Sequence, residues 1–290
     1  MLSKKNIGAF LMVCLALCSN RVFAGEYPPD IQRILDKKKI VIAMLNRDQP
    51  PFFVKGKDGR LEGLDVELAR GVAMELGVEA EFNRSAKTFN ETVDMVVAKE
   101  ADIVISKLSQ TLPRAKKILF TKPYIVLRKG LLINRLKMAR ARKGKPPAEF
   151  IQSVKGDIGA IAGSSYVEFG RRMFPGAEIK EYPAWADVVN AVIDGDVIAG
   201  FRDELEIKKI IRMFPDQAIK IQSAVFKDTK DPIAIAVSSD AFNLLAWLNQ
   251  YLDFLNLEMN ADKLLKQFSY MFKKNTAVEK NQGDNSKIPK

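Results

Sequence analysis

From Lys38 onward, short continuous apolar runs alternate with longer segments whose apolar residues recur every three or four positions. KKIVIAML (38–45) has strand length. GLDVELARGVAMELGV (63–78) puts Val66, Ala69, Val72, Ala73 and Leu76 on one helical face and Gly77 near its end, which predicts an amphipathic helix. EAEFNR (79–84) reads as a strand, FNETVDMVVAKE (89–100) as a helix and DIVIS (102–106) as a strand. This βαβαβ order predicts a mostly parallel sheet covered on both faces by helices.

A second series follows. AEFIQSV (148–154) is predicted as a short helix, DIGAIAG (157–163) as a strand, SSYVEFGRRMF (164–174) as a helix and AEIKEY (177–182) as a strand. WADVVNAVIDG (185–195), VIAGF (197–201), ELEIKKIIRMF (204–214) and QAIKIQ (217–222) continue as helix, strand, helix and strand. PIAIAVS (232–238) is expected as one further strand and AFNLLAWLNQYLDFLNL (241–257) as a long helix, both able to return to the first unit. From Lys273 the chain is polar and free of aromatics, which predicts a disordered tail over 273–290.

The first residues change the compartment. Lys4 and Lys5 precede an uncharged, mostly apolar run from Ile7 to Leu17, and Val22 and Ala24 are small residues suited to a cleavage site. This order predicts a secretory signal peptide over 1–24, cut after Ala24. The run is shorter than the roughly 20 residues that span a bilayer. The roughly 265 residues that remain exceed what one core usually supports, so two lobes are expected.

Composition narrows the chemistry. The chain has no histidine, and its two cysteines, Cys14 and Cys18, both fall in the predicted signal. Ser-His and Cys-His triads are therefore excluded from the mature chain, along with the usual zinc ligands. No metal or cofactor site is expected. Net charge is +11; removing Lys4, Lys5 and Arg21 with the signal leaves +8. Much of the excess is local, with Arg135, Lys137, Arg140, Arg142, Lys143 and Lys145 in eleven residues that contain no acid. That run reads as a solvated loop or a contact with an anionic surface. It lacks the interleaved aromatics of a single-strand platform, and no nucleic-acid partner is expected.

Several motifs occur in one order. They are GLDVELARGVA (63–73), PPFF (50–53) with DGRLEG (58–63), Ala101 to Arg114 followed by FTKPY (120–124), AIAGSS (160–165), and IDGDVIAGFRDE (193–204). Together they resemble bacterial extracellular solute-binding proteins of family 3, over roughly residues 38–272. The resemblance implies an α/β, two-lobed periplasmic-binding-protein fold of type II, each lobe a mixed, mostly parallel sheet with helices on both faces. The expected division is 25–127 for the first part of lobe 1, 128–225 for lobe 2 and 226–272 for the return to lobe 1. It implies a monomeric periplasmic protein that binds an amino acid or dicarboxylate-like small molecule and delivers it to the membrane subunits of an ABC permease, without catalysis. A sensor or accessory module without transport, and a cyclohexadienyl dehydratase-like enzyme on the same fold, remain open alternatives.

A free amino acid offers a carboxylate and an ammonium at fixed separation, so its site needs a bidentate cation, further donors and a buried acid. Arg114 is the expected carboxylate clamp, because a guanidinium fork matches two oxygens. Thr111 stands where a helix N-cap belongs, with Pro113 in the first turn, and Ser109 two residues earlier can face the same side. The resemblance assigns Ser109, Thr111, Arg114 and Ser165 to the carboxylate, Asp203 to the ammonium and Phe89 to an aromatic wall. Asp203 also reads as the cap of the helix that follows it, and Phe89 as a core residue. Departures fall at Ile198, which replaces an Asp, at Gln49, near a usual aromatic, and at Lys107, a position often small and hydroxylated. Lys107 and Arg47 together suggest an acidic side chain or a second carboxylate on the ligand.

Overall fold

The two α/β series form two separate five-stranded sheets in a computed structural model that describes residues 26–144, 146, 151 and 154–272. The first part of the chain runs α1 (Pro29–Asp36), β1 (Lys39–Ala43), the hairpin β2 (Val54–Lys55) and β3 (Leu61–Glu62), α2 (Leu64–Glu75), β4 (Glu79–Asn83), α3 (Phe89–Val97), β5 (Ile103–Val104), the single turn α4 (Leu112–Ala115), β6 (Ile118–Phe120) and β7 (Ile125–Leu127). The second part runs β8 (Lys129–Asn134), α5 (Arg135–Ala141), β9 (Gly156–Ile161), α6 (Ser165–Met173), β10 (Ala177–Tyr182), α7 (Trp185–Asp194), β11 (Ala199–Asp203), α8 (Glu204–Met213) and β12 (Ile221–Val225). The chain returns through β13 (Asp231–Ile233), β14 (Ala236–Ser238), α9 (Phe242–Leu255) and α10 (Ala261–Gln267).

The first sheet has the order β4-β1-β5-β14-β6, with β1 parallel to β4 and β5, and β14 antiparallel to β5 and β6. The second has the order β10-β9-β11-β8-β12, again parallel at one side and antiparallel at the other. Strand β8 is buried along its whole length. Leu131 and Ile133 join one apolar cluster and Leu132 joins the other, as period-two alternation requires of a strand covered on both faces. Helix α2 places Val66, Ala69, Val72 and Ala73 in the core of the first lobe, while Leu76, its C-cap residue, is half-buried.

Between the lobes, β7 and β13 pair antiparallel, Asp231 opposite Leu127 and Ile233 opposite Ile125. The expected single strand over 232–238 is therefore two. Its first part pairs in this hinge and its second in the first sheet, and a continuous apolar run cannot show that the partner changes at Ala234 and Ile235. QAIKIQ also divides: Pro215–Ile219 is a 3-10 turn, and the strand starts at Ile221. Pro215 suits the first turn of a helix because its fixed φ fits and no donor is wasted there. The basic run read as a loop is instead mostly helix α5, which buries Met138 and carries Arg135, Lys137 and Arg140 on its exposed side, with Arg135 donating to the Ala218 carbonyl. The predicted signal peptide, the tail, most of AEFIQSV and Lys145 lie outside the described residues. Among the described residues no helix is long and apolar enough to cross a membrane.

Candidate functional site

The first sheet delivers its chain to the cleft through the segment after β5. Ile105, Ser106, Lys107 and Leu108 are buried, and Ser109 bridges to Ile233 of the hinge strand. The Gln110 N–H donates to the Pro232 carbonyl at 2.9 Å and the Ala234 N–H to the Leu108 carbonyl at 3.1 Å. The backbone that carries Ser109 is thus bonded directly to the hinge. Thr111 caps α4, its hydroxyl accepting the Arg114 N–H at 3.3 Å.

Arg114 is 6% exposed. Its Nη1 donates to the Ser109 carbonyl at 2.9 Å, and Nε and Nη2 donate to Asn90 Oδ1 at 3.2 and 3.0 Å. These bonds use three of the five N–H groups of a guanidinium. Burial lowers its pKa to about 10, with Asp231 and Glu168 opposing, so it is charged at neutral pH. From the second lobe, Ser165 opens α6 and donates to Ser109 Oγ across the cleft at 2.9 Å. Asp203 ends β11 and caps α8, accepting the Glu206 N–H at 3.1 Å.

These groups converge on one small cavity, lined by Phe89, Lys107, Ser109, Arg114, Ser164, Ser165, Tyr166, Arg202, Asp203, Asp231 and Ile233. Six of the seven residues singled out from the sequence are among them. Thr111 is not: its hydroxyl is committed as a cap, a role that a Thr before a Pro-containing turn fills without any ligand. Arg47 is also elsewhere, exposed and donating to the Pro183 carbonyl.

Lys107 does not reach water. Its backbone sits in the left-handed region at φ 47, uncommon for a residue with a side chain. Its Nζ lies 2.9 Å from Asp203 Oδ2 and 2.8 Å from Glu206 Oε1, and 5.0 Å from the centre of the Phe52 ring. Burial alone would raise the Glu206 carboxyl. Lys107, Lys209 and Arg202 outweigh it and hold the group below the usual carboxylate range. Lys209 completes the cluster, donating to Glu206 Oε2 at 3.0 Å and to the Pro50 carbonyl at 2.7 Å.

Arg202, Tyr166 and Asp231 were not singled out from the sequence. Arg202 is 2% exposed, and its guanidinium lies 5.7 Å from the Phe89 ring centre and 5.9 Å from those of Tyr166 and Trp185. Such an arrangement is a cation–π cage. Its Nη2 donates to Gln49 Oε1 at 2.9 Å, so Gln49, where the family resemblance leads one to expect an aromatic, supplies an acceptor across the cleft. Nε is 3.5 Å from Asp203 Oδ2, and neither Nε nor Nη1 has a hydrogen-bond partner among the described residues. Asp231, on β13, accepts the Tyr166 hydroxyl at 2.6 Å, and burial pushes its carboxyl up. Among the described residues no group of three or more His, Cys, Asp or Glu is placed to hold a metal ion.

Comparison with known proteins agrees with this architecture. The model of bacterial extracellular solute-binding proteins, family 3, matches residues 40–271. A probable amino-acid ABC transporter-binding protein of Haemophilus influenzae is 27% identical over 240 residues, covering 81% of this chain and 85% of that protein. The solved structure of the amino acid ABC transporter substrate-binding protein AbpA of Streptococcus pneumoniae, bound to L-arginine, is 25% identical with a TM-score of 0.67, covering 84% of this chain and all of that one. An ancestral amino acid-binding protein described as a precursor of cyclohexadienyl dehydratase, 23% identical with a TM-score of 0.65, covers 82% of this chain and 98% of its own and shares the fold. With two sheets joined at a paired hinge and the family model matching nearly the whole described chain, this protein belongs to the bacterial extracellular solute-binding proteins, family 3.

Proposed function

We propose that the chain captures an amino acid or similar small carboxylate between its lobes and delivers it to the membrane subunits of an ABC permease, with no chemical turnover. The observation that carries this reading is the convergence of Arg114 and Ser109 from one lobe with Ser165 from the other on a single buried cavity beside the hinge. A carboxylate placed there meets a guanidinium with N–H groups to spare and two hydroxyls, and closing the lobes buries those contacts. The Haemophilus influenzae relative, named as an amino-acid ABC transporter-binding protein, supports the transport role. Family membership supports an extracytoplasmic site of action, which we place in the periplasm, reached through a cleavable signal over 1–24.

Calorimetric titration with amino acids and dicarboxylates tests this. A saturable heat with no product formed is expected, and a ligand bound only by the folded state also raises the melting temperature. Arg114→Lys keeps the charge but loses the fork, and should weaken binding at least tenfold with the fold intact. Unchanged affinity in that variant would remove Arg114 from the site.

A further inference from the structure

In the first lobe, Lys107 reaches across the cleft and takes the acid that an α-ammonium group would use. Asp203 Oδ2 holds Lys107 Nζ at 2.9 Å, and Oδ1 holds the Glu206 N–H at 3.1 Å. Glu206, the other carboxylate that Lys107 touches, is divided between Lys107 and Lys209. The second cationic position is filled as well, because the guanidinium of Arg202 lies among Phe89, Tyr166 and Trp185. Both cations that a basic amino acid would bring are thus already present as side chains of the chain.

The pairing of the charges points the same way. Asp203 and Glu206, the two carboxylates that Lys107 Nζ touches, are already matched by Lys107 and Lys209, so a further ammonium would have to displace a side chain to reach either of them. Two N–H positions of Arg202 have no partner among the described residues, although the residue is 2% exposed and lines the cavity. A buried donor left unmade costs about 1–3 kcal/mol, so the Arg202 wall of the cavity favours an acceptor, while Asp231 Oδ1, also without a partner among the described residues, leaves room for one donor. The cavity itself is small, about 10 Å³, close to the least that holds one water.

Resting on the solute-capture reading above, we propose that this cleft selects small carboxylates that lack an α-ammonium group, with Lys107 standing as a tethered replacement for that ammonium on Asp203. Arg114, Ser109 and Ser165 take the carboxylate, and the unpartnered face of Arg202 takes a second acceptor of the ligand.

Matched pairs that differ only in the amino group provide the test: acetate and glycine, propionate and alanine, succinate and aspartate, glutarate and glutamate. Each is titrated calorimetrically into the full-length mature protein and into Lys107→Ser and Lys107→Met variants. In the wild type the acid without the amino group should bind at least tenfold tighter than its partner in every pair that binds. Lys107→Ser, which frees Asp203, should narrow or reverse that preference by at least tenfold. Lys107→Met, which keeps the buried stem, serves if the serine variant fails to fold. Equal or tighter binding of the amino acids by the wild type overturns this inference and leaves solute capture standing. Binding of neither member of any pair, by wild type or variant, overturns both.

Discussion

Asp65 shows how a single buried group makes the stability of the fold respond to pH. It is the first acid of the GLDVELA segment, fully buried, accepting the Tyr124 hydroxyl at 2.8 Å and the Lys107 N–H at 2.6 Å. Burial raises its pKa from 3.8 to about 7, although both hydrogen bonds and the Lys107 charge act to lower it. A raised carboxyl means that the folded chain keeps a proton the unfolded chain has released. This contribution to stability is fully present below about pH 4 and is lost as pH rises through 7, by up to about 1.4 kcal/mol per pH unit. Asp65→Asn, which can still accept from Lys107 N and donate to the Tyr124 oxygen, should remove that slope. Denaturant titrations of both proteins between pH 4 and 8 should diverge; parallel curves would show that Asp65 does not titrate in this range. At this scale the sequence is only partly legible. Arg114, Ser165 and Asp203 stand out because their neighbours form motifs. Arg202 does not, because adjacent residues of a strand point to opposite faces and alternation sends it away from Asp203. Both reach the cavity because β11 ends at Asp203, which caps the next helix.

Elements whose burial depends on one periodicity are the ones a sequence reveals. Helix α2 is of that kind. Strand β8, buried at every position, offers no alternation and is missing from the sequence reading, while β13 and β14 share one apolar run and differ only in their partners. The entry to α2 also depends on a residue with no periodicity. Gly63, its N-cap, has φ 120, and a Cβ there would lie 2.4 Å from the Phe52 carbonyl oxygen. That oxygen accepts the Asp65 N–H at 2.8 Å, so it cannot retreat without leaving a donor of the first turn unpaired. Gly63→Ala should therefore destabilise by about 1–3 kcal/mol from conformation alone, and further from displaced backbone. Gly77 offers the contrast, with φ 67 and nothing within 4 Å of the place a methyl group would take. Gly77→Ala should cost only the left-handed penalty of about 1–2 kcal/mol. Equal losses in the two variants, measured by urea unfolding, would show that the close approach at Gly63 is relieved freely.

At the scale of the whole molecule, the lobes are joined by bonds made entirely by the chain's own groups. Lys107 reaches Asp203 and Glu206, Lys209 reaches the Pro50 carbonyl, Arg202 reaches Gln49, and Ser165 reaches Ser109. Closure on this pattern does not depend on a solute to supply the bridging charge. Glu206 is its centre, since it balances both Lys107 and Lys209 while only 4% exposed. Removing one member of a buried ionic cluster leaves its partners uncompensated and typically costs about 3–5 kcal/mol. Glu206→Gln is therefore expected to shift the molecule toward separated lobes. Both cysteines fall in the predicted signal, so labels at Lys57→Cys and Glu178→Cys, exposed positions in the first and second lobes, report the distance without interference. The parent should show one short distance that raising the salt to about 1 M leaves in place, because buried pairs are screened far less than exposed ones. The Glu206→Gln protein should show a longer, broader distribution. A parent already open, or a distance unchanged by Glu206→Gln, would mean that the cross-cleft ion pairs do not hold the lobes together.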